Sequence, residues 1–217
     1  MHFCLPVWGD TRKLCRVNGY NIVLAGVGGQ GTLLAAEVIG AAAVKDGLNV
    51  RVSEIHGMAQ RGGAVVSNVR IGESVFASTV LDGQANVLVG FEPLETVRNL
   101  RCASEKTFVI MSSERVPPTE LAAKSIPYPS VEDILARIYR FTRNVTMFDT
   151  AKLATKAGSR LAQNSVLVGA LAMVEGFPIK TESVLEALRE LVPKKHVEAN
   201  VRAFELGRES FMKCARV

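Results

Sequence analysis

The sequence predicts an α/β fold: an open, doubly wound, mainly parallel sheet with one antiparallel hairpin and a set of C-terminal helices. Three observations lead there. Short apolar runs alternate with helix-length segments along the 217 residues, the pattern of strands joined by crossover helices. Aromatic content is low at 6 %, and Ala and Val dominate, a mix that suits a parallel sheet of buried strands flanked by helices. A glycine-rich turn, Gly26-Val27-Gly28-Gly29-Gln30-Gly31, links an apolar run to an Ala-rich segment. That order of strand, glycine turn and helix is Rossmann-like, and it is where such folds hold anionic groups.

In order, Val23–Ala25 reads as the first strand and Thr32–Lys45 as the first helix, closed by Gly47. Val50–Ser53 is a short strand ending at Glu54, followed by a polar loop from Ile55 to Gly63. Ala64–Ile71 is a strand, and the turn at Gly72-Glu73 predicts that Val75–Ser78 pairs back with it as a hairpin. Asn86–Phe91 is a buried strand, and Pro93 opens a helix to about Arg101, where its missing N–H costs nothing. Thr107–Met111 is a strand. Pro117, Pro118, Pro127 and Pro129 mark an extended crossing. Ser130 with Asp133 caps a helix to about Phe141, and Asn144–Phe148 is the last strand. The remainder reads as helices over Thr150–Leu161, Asn164–Gly176, Ser183–Leu191 and Lys194–Lys213.

Composition narrows the class. Apolar residues make up 48 % and charged residues 22 %, values of a soluble globular chain. The net charge of +5 is scattered, and the densest basic stretch, Arg137, Arg140 and Arg143, reads as one helix face. No basic tract is interleaved with aromatics, so no nucleic-acid partner is expected. No apolar run approaches the ~20 residues that span a bilayer, so no membrane partner is expected. Cys4, Cys15, Cys102 and Cys214 lack ligand spacing, which excludes a zinc ribbon or an iron–sulfur run and fits a reduced, cytoplasmic chain. Residues 1–19 lack the apolar core of a signal peptide and read as a poorly ordered extension. Residues 20–217 read as one domain, with 161–217 as its helical cap.

Two stretches could carry chemistry. Gly26, Gly28 and Gly31 fit a dinucleotide fingerprint, with Glu54 placed to hold a ribose; a tight turn of any doubly wound fold fits them as well. The loop Glu54-Ile55-His56-Gly57-Met58-Ala59-Gln60-Arg61-Gly62-Gly63 gathers an acid, an imidazole, an amide and a guanidinium. Arg61 could clamp a carboxylate or phosphate, and His56 could move a proton near neutral pH. Together Glu54, His56, Gln60 and Arg61 form the candidate substrate or interface residues, and only His56 and Arg61 are candidates for catalysis. Glu92 and Glu95 read as helix-capping acids. Asn164 reads as the cap of a buried helix in which Gly169 permits close packing. Ser112-Ser113 has no paired base, so no nucleophile is expected there.

Several of these motifs, taken in order, resemble one family. Gly26 to Thr32, His56 to Gly63, Val65 to Gly72, Ala85 to Glu95 and Asn164 to Pro178 are similar to the gamma-type subunit of 2-oxoacid:ferredoxin oxidoreductases. Among its branches the sequence looks most like the small (beta) subunit of the indolepyruvate enzymes. The resemblance covers about Tyr20 to Pro178. It implies a share in the oxidative decarboxylation of a 2-oxoacid on thiamine diphosphate, with electrons passed through iron–sulfur clusters to ferredoxin and an acyl-CoA as product. The chain lacks the Gly-Asp-Gly and paired asparagines of thiamine enzymes, and it lacks clustered cysteines. Thiamine diphosphate, Mg and Fe4S4 clusters are therefore expected in a large alpha partner subunit, and this chain is expected to be inactive alone, with no metal or covalent cofactor of its own. Coenzyme A is the candidate ligand of Gly26, Gly28, Gly29, Gln30, Gly31 and Thr32. Two rivals remain open, a free-standing NAD(P)-dependent dehydrogenase and a purely structural subunit.

Overall fold

A computed structural model describes residues 19–57, 62–117 and 127–214. The expectation for residues 1–19 therefore lies outside the described residues except at Gly19, as does most of the proline-marked crossing. The strands are β1 (Tyr20–Val27), β2 (Val50–His56), β3 (Ala64–Ile71), β4 (Val87–Gly90), β5 (Phe108–Ser112) and β6 (Val145–Phe148). They form one sheet in the order β2-β3-β1-β4-β5-β6. From β1 to β6 every pairing is parallel, while β3 runs antiparallel to both of its neighbours.

The antiparallel element exists, but not where the sequence placed it. It is the hairpin β2–β3, connected through residues 57–63, and Val75–Ser78 is not a strand. The reason is occupancy: β3 already pairs with β2 on one edge and β1 on the other, which leaves no edge for a third strand. Residues 77–79 instead cross nearby, where the Arg70 guanidinium donates to the carbonyls of Ala77 (2.9 Å) and Thr79 (3.3 Å).

Alternation along the strands sends side chains into two cores, one on each face. Ile22 and Leu24 of β1, Val87 and Val89 of β4 and Ile110 of β5 face one core. Val23, Ala25, Leu88, Val109 and Met111 face the other. The first core is covered by α1 (Thr32–Lys45), α5 (Gln163–Leu171), α6 (Thr181–Leu191) and α7 (Val197–Cys214). The second is covered by the short α2 (Pro93–Arg98) and by α3 (Val131–Ile138). Between β6 and α5 lies α4 (Thr150–Ala157), stopped by Gly158 in the left-handed region. The C-terminal helices thus close the main core directly.

Helix ends fall short of the expected limits where the chain tightens into single 3₁₀ turns, at Leu100–Cys102, Arg160–Ala162 and Lys194–His196. Because α3 stops at Ile138, Arg140 and Arg143 lie beyond it, and the three arginines do not share one helix face. No helix among the described residues is long and apolar enough to cross a membrane.

Candidate functional site

The glycine turn lies at the C-terminal end of β1, between the antiparallel β3 and the parallel β4. This is the sheet edge at which open α/β folds bind ligands. Gly26 must be bare: a β-carbon there would sit 2.7 Å from Cβ of Phe91 and 2.9 Å from both Gln30 Oε1 and Thr32 Cγ2. Gln30 turns inward. Its Oε1 accepts from the Val27 amide at 2.7 Å and its Nε2 donates to the Phe91 carbonyl at 3.1 Å, so the side chain clasps β1 to the segment after β4. Thr32 is buried beneath the turn. Gly31 occupies the N-cap of α1 at φ 79°, with no capping side chain and no acid in the first turn. The first turn of α1 therefore supplies no carboxylate of its own to the positive end of the helix dipole.

In front of that helix end lies an open groove of about 420 Å³, lined by Gly28, Gly29, Gly31, Thr32, Leu33 and Leu34 together with Glu37, His56 and Val65. The structure thus brings His56 to the glycine turn. His56 ends β2 and is exposed, with Nε2 3.0 Å from Glu54 Oε2. Gln60 and Arg61 lie outside the described residues. The loop is anchored to the turn from its other end, where the Gly28 amide donates to the Gly63 carbonyl at 2.9 Å.

Glu54 does not stand where a dinucleotide fold needs its ribose-binding acid. That acid follows the strand next to β1, and here β3 lies between. Two strand spacings, roughly 10 Å, separate β2 from β1, and the Glu54 carboxylate faces His56.

Behind the turn is a smaller pocket of about 100 Å³ that the sequence did not reveal, lined in part by Gly29, Gln30, Phe91, Thr150, Arg160 and Gln163. Its wall is a directional relay. Thr150 donates to Gln163 Oε1 at 2.8 Å, so Ser112, 2.6 Å from Thr150 Oγ1, donates to Thr150, and Ser112 Oγ accepts from the Glu114 amide at 3.0 Å. The Ser112 proton thus goes to a threonine hydroxyl, itself committed to the Gln163 amide oxygen. The signal available was position, since Ser112 ends β5 and Thr150 follows β6, both at the ligand-binding edge of the sheet. Arg160 pairs with Glu114 at the rim. Leu161 is 82 % exposed beside it.

Asn164 is not a cap. The N-cap of α5 is Ala162, and Asn164 lies inside the first turn with its Oδ1 accepting from the Ser165 amide at 2.9 Å. Its amide group lies against Gly31, 2.9 Å from the position a β-carbon would take, so it plugs the glycine turn from below. Glu92 does cap α2, accepting from the Glu95 amide at 2.9 Å. It is fully buried and also accepts from the Tyr128 hydroxyl. Burial and this bond to Glu92 push the Tyr128 phenol above its usual range. Glu95 pairs with Arg98 at 2.7 Å. Among the described residues no three of His, Cys, Asp and Glu converge as a metal-binding group.

Comparison with known proteins adds the following. Residues 21–210 match the family profile described as pyruvate ferredoxin/flavodoxin oxidoreductase. Indolepyruvate oxidoreductase subunit IorB of Methanothermobacter thermautotrophicus is 42 % identical over 188 residues, spanning 87 % of this chain and 95 % of that one. The gamma subunit of a keto/oxoacid ferredoxin oxidoreductase from Geobacter sulfurreducens superimposes with a TM-score of 0.66 at 24 % identity, covering 89 % of this chain and 99 % of that one. The 2-oxoglutarate:ferredoxin oxidoreductase of Magnetococcus marinus, solved with 2-oxoglutarate, coenzyme A and succinyl-CoA, superimposes with a TM-score of 0.67 at 20 % identity. There the match covers 90 % of this chain and 31 % of the larger one.

Proposed function

This chain belongs to the pyruvate ferredoxin/flavodoxin oxidoreductase family, and on that premise we propose that it is the small subunit of an indolepyruvate ferredoxin oxidoreductase. The observation that carries the reading is 42 % identity to an indolepyruvate oxidoreductase subunit along nearly its whole length. The reaction joins an arylpyruvate to coenzyme A, releases carbon dioxide and passes two electrons to ferredoxin. The described residues do not fit the redox groups. Cys102 is buried beneath the sheet and Cys214 is exposed near the end of α7, with no converging ligands among the described residues. Thiamine diphosphate and the clusters are assigned to a large partner subunit, and this chain alone is inactive.

What this chain supplies is a binding edge. Gly28, Gly29 and Gly31 leave the start of α1 bare, and a pyrophosphate of coenzyme A suits that helix end. Gln30 and Asn164 hold the turn in shape. His56 is assigned the partner-facing rim of the groove, and Gln60 and Arg61 are assigned to the same ligand. Glu37 also lines it, which favours an orientation that keeps the phosphates at the Gly31 end.

The test is purification of the complex from its native cells through a tag on this chain, followed by turnover of indolepyruvate, pyruvate and 2-oxoglutarate with coenzyme A. A brown, thiamine-containing complex that prefers indolepyruvate is expected. A colourless lone chain, or a complex that prefers another 2-oxoacid, overturns the reading.

A further inference from the structure

At the end of the molecule away from the glycine turn, the C-terminal ends of α2 and α3 meet at a second open groove, of about 470 Å³. Apolar Val97, Leu100 and Phe141 line it together with three guanidinium groups, those of Arg101, Arg137 and Arg140. Among the described residues the only carboxylate within ion-pair reach of these arginines is Asp82, 3.9 Å from Arg101, and both of those side chains are about three-quarters exposed. An exposed pair of that kind contributes little. Just after these residues in the chain, the Arg143 Cζ lies 5.4 Å from the centroid of the Tyr139 ring. Phe141 is 38 % exposed and Tyr139 is 40 % exposed.

We propose that this groove is where an acidic segment of the large partner subunit docks. The inference rests on the reading of the chain as a subunit of a complex, and names a surface that the reading does not. Three arguments select this occupant. Arginine with aromatic and apolar neighbours is the composition enriched at the centres of protein interfaces. A groove with three guanidinium groups favours carboxylates, and arginine forks bind carboxylates bidentately. The groove is also wide and open, which suits a polypeptide segment better than an enclosed small molecule. The alternative role for these arginines, to offset the dipoles of α2 and α3 at their C-terminal ends, accounts for Arg137. It does not account for Arg140 or for the exposed Phe141 ring that lines the groove with it.

The test uses the native complex reconstituted with the full-length Arg137→Glu/Arg140→Glu chain, with circular dichroism as the check that the chain is folded. Both side chains are exposed, so the fold is expected to hold. Affinity for the large subunit should fall at least about tenfold. Added salt should weaken association of the unaltered chain more than that of the variant. An Arg137→Lys/Arg140→Lys chain, which keeps charge but loses the forks, should fall between. Normal assembly of the charge-reversed chain overturns the proposal. So does an intact complex whose only defect is a raised KM for ferredoxin, because the groove would then serve the acceptor. If the unaltered chain forms no 2-oxoacid-oxidising complex at all, the functional reading fails instead, and the two failures are distinguishable.

Discussion

At Gly31 two constraints coincide, a left-handed backbone at φ 79° and the Asn164 amide where a β-carbon would go. Gly29 has the first constraint alone, at φ 105° with open space beside it. Gly29→Ala should therefore cost about 1–2 kcal/mol, the strain of a left-handed residue. Gly31→Ala should cost more by a further 1–3 kcal/mol or so, the price of displacing a packed neighbour; urea unfolding of the two variants measures the difference. Leu33, 43 % exposed at the start of α1, lines the groove without closing the core. Leu33→Glu should bring a carboxylate to the helix end and raise KM for coenzyme A about tenfold, with kcat and assembly unchanged; an unchanged KM removes coenzyme A from the groove. Arg61→Ala should raise KM for coenzyme A or the 2-oxoacid in an intact complex. Burial pushes the Cys102 thiol up from 9.0 to about 11. Since the thiolate is the reactive form, iodoacetamide at pH 8 should modify the exposed Cys214 and spare Cys102 in the folded chain. The sign for stability follows from the same shift: the buried thiol supports the fold below pH 9, and that support is lost as pH rises toward 11.

Among the elements, α5 and α7 cross closest. A β-carbon on Gly169 would lie 2.0 Å from the Phe204 carbonyl oxygen, and one on Gly207 would lie 2.0 Å from that of Val166. Each glycine thus admits the backbone of the opposite helix. Either change to Ala should cost several kcal/mol, and the double variant less than the sum, because one separation of the helices relieves both clashes; denaturant titrations of the three variants test this. The role of Gly169 was legible, since a lone glycine in a buried apolar helix signals close packing. The direction of β3 was legible in principle: residues 57–63 are too short a connection for a parallel crossover, which needs a dozen or more residues. The turn signal at Gly72-Glu73 outweighed it because a turn can be read locally, whereas the occupancy of a strand's edges cannot. Helix ends were overrun for a like reason, since 3₁₀ turns use the same residues as the helices they follow.

For the molecule as a whole, the antiparallel strand between β1 and β2 sets it apart from a dinucleotide-binding fold that shares its glycine turn. NAD or NADP at millimolar concentration should leave Tm unchanged, whereas a ligand well above its Kd raises it; a clear rise would restore the dehydrogenase reading. The strand–turn–helix unit and the two-sided burial were readable because they are written in contiguous residues. The pocket behind the turn was not, because Phe91, Thr150 and Gln163 come together only through the sheet order. That order also bears on how the chain folds. Among the described strands β1 is the first to leave the ribosome, yet it sits in the middle of the sheet, with Ile22 between Val69 and Val87. The hairpin β2–β3 can close on itself at once, while β1 stays an apolar segment without neighbours until the hairpin turns back to it and β4 arrives. Protection of β1 amides in pulsed hydrogen exchange should therefore lag behind that of β2 and β3, and synthesis that stalls before β4 should leave a nascent chain prone to aggregate.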